Sequence, residues 1–90
     1  IAGDNGKILQ FTRDEFNYTG DEPVGLDNYP IYTTSYEFIE IITVEINGLS
    51  ERENIGYEIY DVTINDIVVK SIKLLGLPAI NSKISIGYLY

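Results

Sequence analysis

Apolar and polar residues alternate with a period of two along much of the chain, the spacing that sends successive side chains to opposite faces of a strand. The longest such run is Ile31 to Asn47. Tyr36, Phe38, Ile42, Val44 and Ile46 share one face, Glu37, Thr43, Glu45 and Asn47 the other, and Ile39 and Ile41 interrupt the polar set. As one strand this run would reach roughly 50 Å, too long for so small a domain. A bend or bulge between Thr33 and Ile41 is therefore expected, giving two strands or one that changes sheets.

Gly56 to Ile64 alternates again, with Tyr60, Val62 and Ile64 opposite Asp61 and Thr63. Asn65-Asp66 follows, two residues that tolerate positive φ between β-branched runs, which predicts a hairpin pairing Ile64 with Ile67 and Val62 with Val69. The return strand runs to about Leu75, Gly76-Leu77-Pro78 ends it, and Ser82 to Tyr90 forms the last strand. Its inward face would be Ile84, Ile86, Tyr88 and Tyr90; Lys83, Ser85 and Gly87 would face out. Tyr36 and Tyr60 are expected to point inward as well. Asn47-Gly48 opens a polar loop to Asn54. Near the start, Lys7 to Thr12 reads as a strand behind a turn at Gly3 to Gly6. Residues 13–30 contain Gly20, Pro23, Gly25, Pro30 and five carboxylates, the composition of a long acidic loop. Loops of that length usually have a function.

Composition strengthens the strand reading. Of 90 residues, 15 are Ile, 5 Val and 7 Leu, while Ala, the best helix former, occurs twice. With no composition shift or repeat, residues 1–90 form one domain. Five to seven short strands punctuated by turns predict an all-β fold, a small Ig-like antiparallel β-sandwich of about six or seven strands. No disulfide can help it, because the chain has no Cys, so the core must come from apolar packing alone.

Charge and missing residue types narrow the function. The absence of His and Cys removes the usual zinc sites and the Ser-His-Asp and Cys-His nucleophiles. A net charge of −8 opposes binding to nucleic acid or to anionic membranes. Nothing in the chain is long and apolar enough to insert in a bilayer. The chain opens on Ile1, which either a cleaved leader or a trimmed start would give. No enzymatic activity and no cofactor are expected.

Three patterns remain as candidate sites. In the acidic loop, Asp14, Glu15, Asp21, Glu22 and Asp27 could offer calcium the oxygen ligands it prefers, with Asp14, Asp21, Glu22 and Asp27 the main candidates. Tyr18, Tyr29 and Tyr32, beside those carboxylates, have the chemistry of a glycan-binding surface or a protein interface. The loop also holds an N-glycosylation triplet, Asn17-Tyr18-Thr19. The third pattern is polarity: every acid lies at or before Asp66, whereas Lys70, Lys73 and Lys83 follow it with no acid among them. Copies could meet head to tail, basic strands against acidic surface, building a ring or filament. A terminal strand could also cross to a neighbour's sheet edge, with Leu9 and Phe11 as the plugging pair.

Ile42 to Tyr90 resembles the β-sandwich portion of secreted filament subunits of the archaeal pilin and archaellin type. The resemblance rests on a strand ending in Asn47, a polar loop, the hairpin Val62-Thr63-Ile64-Asn65-Asp66-Ile67-Val68-Val69, a Gly/Pro link and the closing strand Ile84 to Tyr88. Those subunits also carry an N-terminal hydrophobic helix, which is missing from this sequence. The resemblance implies an extracellular location, or a place on a cell or virion surface, and a structural role. The leading expectation is a non-catalytic subunit, a homo-oligomer or polymer, that self-assembles through β-edges. The alternative is a carbohydrate-binding module, with or without calcium.

Overall fold

The computed structural model describes residues 8–90; Lys7 and the turn expected at Gly3 to Gly6 lie outside them. Among the described residues the chain forms β1 (Phe11–Asn17), β2 (Ile31–Tyr32), β3 (Glu40–Ile46), β4 (Leu49–Ser50), β5 (Tyr57–Ile64), β6 (Ile67–Leu74) and β7 (Lys83–Leu89), with no helix. One sheet has the order β1-β7-β3-β4 and the other β2-β6-β5, and every pairing is antiparallel. The fold is a small β-sandwich, as the branched side chains and turn spacing predict. Val44, Ile84, Ile86 and Tyr88 of the first sheet meet Tyr32, Tyr57, Ile72 and Leu74 of the second. Phe38, on the connection between sheets, closes the core with its ring edge-on to Tyr88 at 6.5 Å.

The run from Ile31 to Asn47 does change sheets. β2 pairs with β6 in the second sheet and β3 with β7 in the first. A bulge lies farther along, between Ile41 and Thr43. The extra residue, Ile42, is half exposed, and the phase shift turns Ile41 toward the core. This corrects the expected faces, on which Ile42 pointed inward and Ile41 outward. Tyr36, also expected inward, is half exposed and stacks on Tyr90 at 4.1 Å.

The hairpin after Ile64 has the register read from its turn: Ile64 opposite Ile67 and Val62 opposite Val69. Asn65 and Asp66 adopt φ of 52° and 66°, the type I′ geometry that matches strand twist. Asp tolerates that region at a cost that Gly avoids. Asp66→Gly should therefore raise stability by about 0.5–1 kcal/mol, seen as a melting temperature higher by several degrees.

Three expectations are corrected here. β1 continues to Asn17, so the first five residues of the expected loop are strand. Its charges mislead because they suit an edge strand: Arg13 on the outer side donates to Ser85 Oγ at 2.8 Å, and Asp14 on the inner side accepts from the Tyr88 hydroxyl at 2.9 Å. Asn47-Gly48, with φ of 52° and 84°, forms a second tight hairpin that pairs Ile46 with Leu49, where a polar loop was expected. In β5, Tyr57 lies opposite Leu74 and is buried in the core, and Ile59, opposite Ile72, shares its side although partly exposed, which sends Tyr60, Val62 and Ile64 to the outer face. The partner strand decides this: Ile72 and Leu74 must point inward, and residues directly opposite share a side.

Candidate functional site

Two neighbouring features of the three-stranded sheet stand out: an open strand edge and a strap of chain lying over the outer face. The edge arises because β2 has only two residues, pairing Ile31 with Lys73 and Tyr32 with Ile72. Farther along β6, Ile67 to Lys70 has no strand on that side among the described residues. A two-residue hairpin makes Ile64 and Ile67 a hydrogen-bonded pair, so the N–H and C=O of Val68 and Lys70 point to the open side. Leu74 shows the same direction, donating its N–H to the Pro30 carbonyl across that edge. The edge opens onto a groove of about 380 Å³ whose far wall is Thr34 to Glu37. Around it Ile64, Ile67 and Val68 are exposed.

The strap begins where Glu22 folds back on the chain. Its carboxylate accepts from the Thr19 and Gly20 N–H groups and from the Tyr32 hydroxyl at 2.7 Å. Burial pushes the Glu22 pKa up, but the Tyr32 and Thr19 hydrogen bonds outweigh it and leave the group below its ordinary value. Ile31 N–H then donates to the Pro23 carbonyl at 2.8 Å, closing the neck of the strap. At its tip, Asp27 Oδ2 accepts from Lys73 Nζ at 2.5 Å, and the same ammonium reaches Glu58 Oε2 at 2.8 Å. It also sits 4.8 Å from the centre of the Tyr60 ring. The Lys73 hydrogen bond holds Asp27 below its usual range, and the bonds to Asp27 and then Glu58 hold Lys73 above its own. Gly25 lies against the lysine stem: a Cβ there would come within 2.9 Å of Lys73 Cδ.

The structure separates most of the residues proposed from sequence. Of the calcium candidates, Asp14 is engaged with Tyr88 and Ser35, Glu22 with Thr19 and Tyr32, and Asp27 with Lys73, while Asp21 is exposed. Among the described residues no three carboxylates converge on one point. Tyr32 is 4 % exposed, so its ring belongs to the core and cannot serve as a platform for sugar. Tyr18 and Tyr29 are half-buried, at opposite ends of the irregular segment. Asn17 of the glycosylation triplet is exposed, but at the end of β1 and not in a loop.

The expected basic region is also corrected. Lys73 is enclosed by two carboxylates and Lys83 pairs with Glu15 at 3.2 Å. Of the three lysines, only Lys70 has no carboxylate partner among the described residues. A strand's acids lie next in space to bases distant in sequence, and that neutralises the polarity along the chain. Nor does the first strand stand free: all seven residues of β1 pair with β7. Phe11 covers Gly87, where an added Cβ would meet its ring at 3.0 Å, and Leu9 is half exposed.

Sequence reasoning missed both the open edge and the clamp on Lys73. The first has a visible signal, a β-like segment broken at Thr33-Thr34 after only two strand residues. The second has none, since Asp27, Glu58 and Lys73 are spaced without pattern. No protein-family model, curated protein or solved structure matches the chain.

Proposed function

We propose that this domain is a non-catalytic structural subunit of an extracellular, cell-surface or virion-surface assembly, and that copies join by adding a strand to the open edge of β6. The observation behind this reading is the stretch Ile67 to Lys70, whose outward N–H and C=O groups have no strand partner among the described residues and lie beside an open groove. Unpaired edges of this kind accept extended segments, with backbone hydrogen bonds giving affinity and alternate side chains giving specificity. Exposed Ile64, Ile67 and Val68 would supply the apolar contact. The likeness of Ile42 to Tyr90 to filament-subunit sandwiches agrees with such a role.

The molar mass measured by light scattering should rise with protein concentration, and Val68→Pro should hold it at the monomer value. Proline removes one outward N–H from a position that makes no bond to β5, where an edge strand tolerates it. The variant should keep the β-rich circular dichroism spectrum of the parent. A parent chain that stays monomeric at high concentration would sink the proposal, as would a Val68→Pro chain that assembles equally well.

A further inference from the structure

We infer that the segment Pro23–Pro30 is an acid-released strap, latched to the outer face of the three-stranded sheet by Asp27 on Lys73. The inference concerns a single copy and stands apart from the assembly reading. The Pro30 carbonyl accepts from Leu74 N–H and ties the root of the strap to β6; beyond that root, from the neck, where Ile31 N–H meets the Pro23 carbonyl and Val24 bridges Pro30, to the turn formed by Gly25, Asn28 and Tyr29, the backbone hydrogen bonds are internal to the strap. Among the described residues the Asp27–Lys73 contact is the one side-chain bond from the strap to the sheet beneath. Pro30 is fully buried at the root, but Leu26 at the tip is fully exposed and Val24 half exposed, so little apolar burial holds the tip down. Few buried contacts and one polar anchor are the conditions for local opening well below the cost of global unfolding.

The groups facing the latch set its direction. Asp27 meets Lys73 of β6, which also faces Glu58 and the Tyr60 ring of β5; within the strap, Asp27 Oδ1 accepts from Tyr29 N–H. The Lys73 hydrogen bond holds the Asp27 carboxyl below its ordinary value of 3.8. A carboxyl lowered by folding contributes its attraction above its unfolded pKa and loses it as pH falls through the folded one. Glu22, at the root of the strap, is lowered too and weakens in the same direction. When Asp27 takes a proton its charge attraction to Lys73 is lost, and the ammonium is left to water as the strap tip comes away. The strap lifts, Gly25 leaves the lysine stem, and Lys73 becomes accessible beside the apolar stripe of Val62, Ile64, Ile67 and Val69.

Backbone NMR relaxation of Gly25 to Asn28 tests this. In the parent at neutral pH the order parameters should be those of rigid backbone, about 0.85, and in Asp27→Asn at the same pH they should drop below about 0.6. Asparagine keeps the turn acceptor for Tyr29 but carries no charge, so it stands in for the protonated latch. The parent should show the same loosening as the pH is lowered below 3.8, with β6 and β7 amides still protected. Lys73→Met, which removes the ammonium and keeps an apolar stem, should loosen the strap at every pH. The inference fails if Asp27→Asn leaves the strap rigid, or if the parent strap moves only when the whole sandwich unfolds. It also fails if the intact mass is lower by one water, since Asp27 and Lys73 would then be joined as an amide and the strap could not open.

Discussion

Ile86→Ala should destabilise the domain by about 3–4 kcal/mol, the range for deleting a buried isoleucine whose surroundings cannot collapse onto the gap. Ile86 is fully buried in β7, opposite Asp14 on one side and Val44 on the other, with strands holding both flanks. A chain of 90 residues has a total stability of only about 5–13 kcal/mol, so the loss is a large share of the whole. The melting temperature should fall by roughly 15–25 °C. Ile67→Ala at the hairpin tip is the matched control. Ile67 is 64 % exposed, and its truncation should cost no more than about 0.5–1 kcal/mol. Equal losses at the two sites would mean that the sandwich core does not dominate stability.

Alkali should unfold the domain steeply. Burial pushes up the pKa of Tyr32, with a contribution from the Glu22 hydrogen bond. Burial and the charge of Glu53 do the same at Tyr57. For Tyr88, burial together with the Asp14 hydrogen bond and charge outweighs the Tyr36 backbone bond and raises the pKa. A group with a raised folded pKa contributes fully below its unfolded value, here 10.0, and its contribution is lost as pH rises above that. Where all three stay protonated in the native state and ionise in the unfolded one, the slope approaches about 4 kcal/mol per pH unit, at about 1.4 per proton. Lys73, also raised, titrates with the same sign. Denaturant melts at successive pH values above 10 should show this slope, and Tyr32→Phe should reduce it by about a third. Stability that stays flat through that range would show that these hydroxyls ionise without leaving the core.

Much of the architecture was legible because it is local. The Asn65-Asp66 turn selects its own hairpin, so the register from Ile64–Ile67 to Val62–Val69 could be read from four residues and their neighbours. β7 was legible for a different reason: Ile84, Ile86 and Tyr88 alternate without interruption, and all three are fully buried. β1 hid behind its charges, because Arg13 and Glu15 signal solvent in sequence while in space they lie along a sheet face opposite Ser85, Glu45 and Lys83. The strap was legible only as an irregular acidic segment. Its latch depends on Lys73, a partner 46 residues from Asp27.

Side-chain branching, turn conformation and the absence of Cys belong to short stretches of chain, so the strands, the place of the hairpin turn and the reliance on packing rather than disulfides can all be read without knowing the fold. Strand packing settles the rest: which face of β5 is buried, that Tyr32 is core, that Lys73 and Lys83 are neutralised and that, among the described residues, Ile67 to Lys70 is left as an open edge. Each of these depends on which strand lies alongside which. Strand pairing brings together residues far apart in the chain, and a period of two marks alternate faces without saying which of them the neighbouring sheet will cover.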